Sequence, residues 1–371
     1  MYIFKGTNMF YKTYSKIILL STLTLFTACS TKISEQPNTE ITKLGAKFHQ
    51  RKFIPSNVPL VNISDIQINN NIVNQKDFLQ QLAHIQNHST NLMKHHVKTY
   101  NKLFTWLSHG GKIKDLKHYG VQIQQMRGQD GYQNVLMTGY YIPVIPARIR
   151  PEGEFHHPLY AIPKGNKKYS RAQIYRGALA GKGLELAYTN SMLENFLMEV
   201  QGSGFVDIGG GRLHHLAYGD KNGYAYTSIG RLLVEDGEIA KENISIQAIR
   251  KWSKENPHRL QSLLERNNSF VYFRRDPTLE VKGSARVPLV PLASVASDKR
   301  LIPTGSVLLI EMPILDHNGN WNGRHEFRLM VALDVGGAVK GQHFDLYQGI
   351  GHQAGQKAGH MKHYGRAWLL N

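Results

Sequence analysis

The sequence predicts a mainly β protein that also contains helices and is divided into about two domains. Its 371 residues exceed the roughly 100–200 residues that a typical domain contains, so more than one domain is expected. Its 34 glycines and 18 tyrosines favour strands joined by tight turns, because glycine enters turn conformations freely and tyrosine packs well on sheets. Hydrophobic residues make up 41% and charged residues 19%, which is typical of a folded chain and excludes a disordered one.

Helical patterns flank a β-rich middle. Five apolar residues at intervals of four and three predict an amphipathic helix packed on a core: Met93, Val97, Tyr100, Phe104 and Leu107. Short β-rich runs between glycines and prolines occupy about residues 121–226. A second helical stretch follows over 246–267, where Asn256-Pro257 has the form of a cap and first-turn proline. From residue 281 onward the chain is strand-like again.

The chain is strongly basic, with a formal net charge of +18. Lys5, Lys12 and Lys16 lie in the first 28 residues, which contain no acids, so the remainder has 42 basic and 27 acidic residues, or +15. A surface of this kind favours a polyanionic partner. Nucleic acid, anionic lipid and peptidoglycan stem peptides all qualify. The sequence has no recognisable nucleic-acid-binding motif, so we expect no nucleic-acid partner.

The first residues have the form of an export signal. Three lysines precede a mostly apolar run of twelve residues, Ile17 to Ala28, which is too short for a bilayer core that needs about 20 residues. This predicts a cleaved signal peptide over 1–28. The alternative is an ordinary buried segment beside a buried cysteine.

The single cysteine, Cys29, excludes an internal disulfide framework. Phe26-Thr27-Ala28-Cys29 resembles a bacterial lipobox, in which the cysteine becomes lipidated and N-terminal. Ser30 follows, where an aspartate would retain a lipoprotein in the inner membrane. The resemblance implies a lipid anchor in the outer membrane with the protein facing the periplasm. The polar residues 29–50 are then a tether.

The densest stretch for chemistry runs from Val331 to Gly349. Asp334 ends an apolar run, and Asp345 stands between Phe344 and Leu346. A carboxyl group among apolar neighbours loses solvation, which raises its pKa and suits it to act as a general acid near neutral pH. The alternative is that both aspartates cap turns.

Several motifs carry a resemblance to a known family. Asp298, Asp334 and Asp345 together resemble the three-aspartate double-psi β-barrel domain. Six motifs, in family order from about residue 100 to the end, look like the membrane-bound lytic murein transglycosylase A family: MTGYYIPVIPAR, SRAQIYRGAL, FLMEVQGSGFVDIGGG, KNGYAYTSIGRLL, VPLVPLASVASD and VALDVGGAVKGQHFDLYQGIG.

The resemblance implies a fold and a site. A double-psi β-barrel domain, built from residues 51–136 and 278–371, would receive an inserted smaller β domain over 137–277, with the glycan in the groove between them. Asp345 would be the catalytic acid/base and Asp334 a neighbouring active-site aspartate. The expected substrate-binding residues come from the matching motifs: Asp298, Tyr140, Gln201, Gly202, Ser203, Lys340, Gln342 and Tyr347.

Other chemistries receive little support. Gln201-Gly202-Ser203-Gly204 is similar to a nucleophilic serine turn, but Phe205 replaces the last glycine. His360 and His363 could share a helix face, but no nearby acid completes a metal site. The sequence therefore implies neither a metal nor an organic cofactor.

The implied activity is that of a peptidoglycan lytic exotransglycosylase. It would cleave the β-1,4 bond between N-acetylmuramic acid and N-acetylglucosamine and leave a 1,6-anhydromuramic acid end, with a single aspartate as acid and base. The partners would be peptidoglycan strands, the outer membrane and a possible cell-wall enzyme complex. Two alternatives remain: a two-carboxylate glycoside hydrolase, and a non-catalytic wall-binding protein similar to expansin-like barrels.

We predict that Cys29→Ser abolishes lipid attachment and yields a soluble periplasmic protein that remains active. The lipid anchor supplies the affinity for the membrane, since each buried CH₂ of an acyl chain contributes roughly 0.8 kcal/mol. Fatty-acid labelling and membrane fractionation of wild type and variant check this. Fatty-acid label on the Cys29→Ser protein would contradict it.

Overall fold

The computed structural model describes residues 60–128 and 133–371 of the chain. The predicted signal peptide, Cys29 and the tether lie outside these residues. The described residues fall within one compact unit and form two β-sheets, one of nine strands and one of six.

The nine-stranded sheet takes its strands from both ends of the chain. Its spatial order is β1-β2-β15-β11-β12-β10-β13-β3-β14. The bounds are β1 Val61–Ile63, β2 Ile123–Gln125, β3 Val135–Ile142, β10 Ser294–Ala296, β11 Val307–Leu315, β12 Trp321–Asp334, β13 His343–Ile350, β14 Lys362–Gly365 and β15 Ala367–Leu370.

The six-stranded sheet is formed by the middle of the chain, in the spatial order β5-β6-β4-β7-β8-β9. The bounds are β4 Val144–Arg148, β5 His157–Tyr160, β6 Glu185–Thr189, β7 Gly204–Asp207, β8 Leu213–Lys221 and β9 Val271–Asp276.

Helices accompany both sheets. Among residues 60–128 and 133–371, no helix has both the length and the apolar character required to cross a membrane. The α-helices are α1 Gln75–His88, α2 Thr90–Ser108, α3 Arg171–Tyr175, α4 Met192–Gln201, α5 Ile229–Glu235, α6 Ile246–Glu255, α7 Pro257–Glu265 and α8 Gly351–His360, and short 3-10 helices span Ile113–Tyr119 and Lys241–Asn243.

The chain passes from one sheet to the other at Pro143, between β3 and β4. It returns between Asp276, at the end of β9, and Ser294, at the start of β10. The fold class expected from the sequence is therefore present: a β unit built from both chain ends receives a smaller β unit from the middle. The boundary predicted at residue 137 falls inside β3, and strand pairing puts the crossing six residues later, at Pro143.

The larger sheet curls towards a barrel but its ladders do not close in the part of the chain that the structure describes. β1 and β14 are its two edges. The backbone N–H of Glu311 in β11 donates to the carbonyl of Arg366, directly after β14, at 2.9 Å. The sheet therefore curls from β11 through β12, β10, β13 and β3 until β14 lies near β11 again. No continuous ladder joins β14 to β11 among the described residues.

β11 separates two hydrophobic cores. Alternate side chains of a strand point to opposite faces, so Leu308 and Ile310 pack inside the curled sheet while Val307 and Leu309 pack on the opposite side. The second core includes the buried faces of α1 and α2. Burial on both faces explains why β11 is apolar at consecutive positions.

The helix predicted from the apolar spacing over 93–107 is confirmed as α2, but its core face is not the predicted stripe. Tyr100 and Leu107 are buried, whereas Phe104 is 59% exposed. The buried face instead also includes Leu103 and Trp106. Apolar side chains also stand outside the predicted stripe, at Leu103 and Trp106, so the spacing alone did not identify the buried face.

A buried ion pair ties the inserted unit together. Arg171, at the start of α3, donates to both carboxylate oxygens of Glu199 in α4, at 3.2 and 2.8 Å. The same guanidinium donates to the carbonyls of Asn267 and Ser269, which precede β9. Because every donor contact is made inside the protein, the pair fixes two helices against the strand that leads back to the larger sheet.

Candidate active site

A groove of about 1000 Å³ runs between residues of the two sheets. The larger sheet contributes Tyr140 and Asp334, and the inserted unit contributes a wall that contains Gln201 and Ser203. Both carboxylate and basic side chains are among the lining residues: Arg274, Asp276, Glu280, Lys282 and Arg286. The groove therefore presents charged groups and has room for an extended ligand.

The short strand β10 brings Asp334 and Asp345 together. Ala296 pairs with Asp334 on one side and with Asp345 on the other. Residues directly opposite one another in a sheet point to the same face, so both carboxyl groups share a face with Ala296 between them. Two strand spacings put their Cα atoms about 10 Å apart. Asp334 lines the groove, and Asp345 lies just beyond the lining residues and is partly buried.

Asp334 is surrounded by hydrogen-bond donors. Its Oδ1 accepts from the backbone N–H of Ser284 at 2.8 Å and of Val335 at 2.9 Å, and its Oδ2 accepts from the Tyr140 hydroxyl at 3.1 Å. Burial raises the pKa of Asp334, and these three donors act against that rise. Burial also raises the pKa of Tyr140 well above its usual value, so its hydroxyl remains a donor. The three donors stabilise the ionised form of Asp334, but burial is the larger effect and leaves its pKa above the usual value.

Asp345 has a different environment. Its Oδ1 lies 2.8 Å from the hydroxyl of Thr138, the residue directly opposite in β3. Burial raises the pKa of Asp345 to about 6, a hydroxyl hydrogen donated by Thr138 opposes the rise, and the charge of Asp334 adds to it. A carboxyl group with this pKa keeps its proton to near neutral pH, as a general acid requires.

The two aspartates are thus differentiated by their surroundings. Three donors stabilise the ionised form of Asp334, whereas Asp345 has one hydroxyl neighbour and a nearby negative charge. The number of donors therefore suits Asp334 to the role of the charged group and Asp345 to that of the proton carrier.

Asp298 is engaged within the protein. Its carboxylate accepts from the Arg300 guanidinium at 2.9 and 2.6 Å and from the backbone N–H of Gly341 at 3.0 Å. Arg300 holds the pKa of Asp298 well below its usual value. Asp298 is 6% exposed and is not among the groove residues. These contacts are those of a residue that anchors the loop before β13, and substrate binding by Asp298 stays a prediction.

Two further expected binding residues are buried. Tyr347 is 1% exposed and packs against Tyr140 with 5.3 Å between ring centroids. Gln342 is 1% exposed, and its Oε1 accepts from the backbone N–H of Gly128 at 2.7 Å. Both side chains are packed inside the protein, and direct substrate binding by them stays a prediction.

The remaining expected residues divide by location. Gln201, Gly202 and Ser203 line the groove where α4 ends, and Gly202 has the left-handed backbone of a helix cap, with φ of 84°. Tyr140 lines it from β3. Lys340 is exposed but lies outside the lining residues. Substrate binding by these residues stays a prediction.

Sequence reasoning missed several site residues. Thr138 and His343 flank Asp345, and the Ser284 amide caps Asp334. Pairing of β3 with β13 is the only feature that brings Thr138 to Asp345, because the two are distant in sequence. In residues 60–128 and 133–371, no group of three or more histidine, cysteine, aspartate or glutamate side chains converges as metal ligands would.

The arrangement defines an enzyme class. A proton-carrying carboxyl group with a second carboxyl group nearby, beside a groove that has room for an extended ligand, suits acid–base cleavage of a polymer. Comparison with known proteins agrees. The family model described as "MltA specific insert domain" matches residues 136–274, and the model described as "3D domain" matches 293–371.

Curated relatives match almost the whole chain. Membrane-bound lytic murein transglycosylase A of Escherichia coli K12 is 46% identical over 359 residues, 96% of this chain and 95% of the relative. The enzyme of the same name from Vibrio cholerae is 40% identical over 96% of this chain and 94% of its own length. The crystal structure of Escherichia coli MltA with bound chitohexaose superposes with a TM-score of 0.83 at 46% identity, covering 89% of this chain and 98% of that one. This chain belongs to the membrane-bound lytic murein transglycosylase A family.

We predict that Asp345→Asn stabilises the folded protein at pH 7.5 but not at pH 4. The folded-state pKa of about 6 exceeds the unfolded value of about 4. The folded state therefore holds a proton that the unfolded state has lost, and stability falls as pH rises through this window. Asparagine cannot ionise and escapes the loss, so we expect a gain of about 1–3 kcal/mol at pH 7.5.

Urea unfolding of both proteins at the two pH values measures this difference. Glu255→Gln, at an exposed position in α6, is the matched control and should change stability by less than about 0.5 kcal/mol at either pH. Equal stability of wild type and Asp345→Asn at pH 7.5 would contradict the raised pKa.

Proposed function

We propose that this chain is a lytic transglycosylase that cleaves the β-1,4 bond between N-acetylmuramic acid and N-acetylglucosamine in peptidoglycan. The product carries a 1,6-anhydromuramic acid end. The observation that carries the proposal is the asymmetry of the two aspartates: three hydrogen-bond donors surround the Asp334 carboxylate, whereas the pKa of Asp345, about 6, lets it give and take a proton near neutral pH. Membership of the family and the chitohexaose bound by a solved relative support a glycan strand as the ligand of the groove.

The reaction needs one acid/base. Protonated Asp345 donates its proton to the glycosidic oxygen, and the bond from that oxygen to C1 of the muramic acid breaks. Positive charge develops on C1 and the ring oxygen. The C6 hydroxyl of the same sugar attacks C1 and gives its proton to the Asp345 carboxylate, which restores the starting state. No water is consumed, and the attack is intramolecular, which removes much of its entropic cost.

The negative charge of the Asp334 carboxylate supports this reaction. Its negative charge raises the pKa of Asp345 and can stabilise the developing positive charge on the sugar. Both effects require that it stays ionised, as its three donors favour.

The proposed ligand contacts come from the groove walls. Gln201, Gly202 and Ser203 would hydrogen-bond the glycan from the inserted unit, and Tyr140 would contact it from the larger sheet. Exposed Lys340 would meet anionic parts of the polymer outside the groove. We propose two structural units as the frame for these walls, one built from both ends of the chain and one from its middle, which the chain enters after β3 and leaves after β9.

We also propose that the protein acts at the periplasmic face of the outer membrane, held by lipid on Cys29. The curated relatives are named membrane-bound, and the lipobox-like residues before Cys29 offer the means of attachment. A tether of the length of residues 29–50 would let the groove reach strands in the wall, where other wall enzymes are possible partners.

We predict that Asp345→Asn and Asp345→Ala abolish release of anhydro-muropeptides while folding and glycan binding persist. Asparagine keeps the shape of the side chain but cannot transfer a proton, and loss of such transfer costs about 10²–10⁴-fold. Since Asp345 serves both halves of the reaction, the loss of activity should reach the upper end of this range, about 10⁴-fold. Asp334→Asn should impair the rate less.

A digest of purified peptidoglycan by wild type and the three variants, read by mass spectrometry, tests this. A 1,6-anhydro end is one water lighter than a reducing end, so the wild-type product identifies the reaction. Comparable losses in both asparagine variants together with reducing ends would indicate a hydrolase. No product from wild type would indicate a wall-binding protein, and full activity of Asp345→Ala would remove the assignment.

A further inference from the structure

The outward side of helix α2 presents basic and apolar side chains together. Residues three or four apart lie on the same side of a helix, and the exposed residues of α2 include five with this spacing: Lys94, Val97, Lys98, Asn101 and Phe104. We call these five residues the α2 face. Val97 is 37% exposed and Phe104 is 59% exposed, so the face presents an aliphatic group and an aromatic ring to solvent beside its lysines.

The charge on and around the α2 face has one sign. No aspartate or glutamate occurs from Phe78 to Lys114, so α2 has no carboxylate of its own to neutralise its lysines. The 3-10 helix that follows α2 has one acid, Asp115, whose Oδ1 lies 3.9 Å from Nδ1 of His118. A surface of this kind attracts an anionic partner. The exposed and partly exposed lysines of α2, of the 3-10 helix and of the turn between them are Lys94, Lys98, Lys102, Lys112, Lys114 and Lys117.

The 3-10 helix extends this basic surface because it packs beside the end of α2. The indole N–H of Trp106 donates to the carbonyl of Lys112 at 2.8 Å. The rings of His109 and Tyr119 lie 5.6 Å apart between their centroids. The lysines of the 3-10 helix and of the turn before it therefore belong to the same region of the surface as the C-terminal half of α2.

The chain that leads from the proposed lipid enters the fold beside this surface. Residues 30–59 separate Cys29 from Leu60, the first described residue. β1 follows at once and pairs with β2, and the side-chain amide of Asn71 then donates to the carbonyl of Gly110, just after α2, at 3.3 Å. A segment of that length spans at most about 100 Å, so the fold of an anchored chain stays within this distance of the bilayer.

We propose that the α2 face docks on the anionic surface of the bilayer to which Cys29 is anchored. The inference rests on the proposed lipid on Cys29 and adds to it a surface that orients the fold. The ammonium groups of Lys94 and Lys98 contact lipid phosphates, and the Phe104 ring enters the layer of head groups, with α2 lying along the bilayer. Because the lipid already confines the fold near the bilayer, a weak docking contact is sufficient.

The exposed ring of Phe104 favours a bilayer over the anionic polymer of the wall. Carboxylates of stem peptides would attract the lysines but offer no apolar layer for the ring. A bilayer offers both, because its anionic head groups lie directly above the acyl chains. A single exposed apolar side chain is common on soluble proteins, so the argument depends on its position among unneutralised lysines and beside the point where the tethered chain enters the fold.

Co-sedimentation with lipid vesicles tests the proposal on a chain that begins at Ser30 and so carries no lipid. All described residues lie within one compact unit, so this chain keeps the fold. We expect it to bind vesicles of phosphatidylglycerol mixed with phosphatidylcholine and not vesicles of phosphatidylcholine alone. Sodium chloride at about 0.5 M should release it, because the screening length then falls to about 4 Å.

Variants of the same chain locate the contact. Lys94→Gln with Lys98→Gln should weaken binding to the anionic vesicles about 25-fold, or about fivefold for each lysine removed. Phe104→Ser should weaken it about fivefold, because the apolar contact is lost. The matched control is Lys241→Gln with Lys254→Gln, which removes the same charge from exposed positions of the inserted unit and should change binding less than about twofold. No residue of the α2 face lines the groove, so every variant should digest purified peptidoglycan as the parent chain does.

Three results would overturn the proposal. The first is absence of binding to the anionic vesicles by the chain that begins at Ser30. The second is an equal loss of binding in the control variant, since net charge alone would then explain the affinity. The third is binding to purified peptidoglycan that falls in the Lys94→Gln, Lys98→Gln variant while vesicle binding does not, which would assign the α2 face to the polymer. Failure of the proposed anchor would instead appear as absence of fatty acid from Cys29 of the full chain, and absence of anhydro ends would mark failure of the proposed reaction.

Discussion

The site depends on the pairing of one three-residue strand. β10 lies between β12 and β13, and Ala296 at its end has Asp334 on one side and Asp345 on the other. A bulge makes this possible: Val295 pairs with Ala332 but Ala296 pairs with Asp334, which leaves Leu333 unpaired. Without the bulge, Leu333 would lie opposite Ala296 and the Asp334 carboxyl group would point to the other face of the sheet. The carbonyl of Leu333 accepts from the N–H of Ala285, so the loop over 283–287 supports the bulge.

That same loop determines how the aspartates differ. The Ser284 amide caps Asp334, and Asp298 holds the backbone of Gly341 before β13 begins. The Asp334 carboxyl group therefore accepts from a loop amide, from the amide that follows its strand and from the Tyr140 hydroxyl. The Asp345 carboxyl group contacts one hydroxyl, that of Thr138 on the paired strand β3. Their chemical division results largely from strand pairing, because two of the three donors to Asp334, Ser284 and Tyr140, come from distant parts of the sequence and only Val335 is a sequence neighbour.

Some of this could be predicted from the sequence and some could not. Asp345 between two apolar residues and Asp334 at the end of an apolar run are local patterns, so their desolvation was predictable. The start of α7 at Pro257 was predictable from the Asn256-Pro257 pair. Burial of Tyr347 was not, because it depends on Tyr140 from a distant strand. The run that contains Pro143 reads as one strand, and only the pairing of β3 and β4 in different sheets divides it.

The central claim is that the nucleophile is the sugar's own C6 hydroxyl and that one aspartate serves both proton transfers. The most direct measurement is a digest of purified peptidoglycan in H₂¹⁸O, with the new ends analysed by mass spectrometry. The account predicts 1,6-anhydro ends that contain no ¹⁸O, because no water enters the product. New reducing ends that each carry one ¹⁸O atom would show that water attacks C1, and would contradict it.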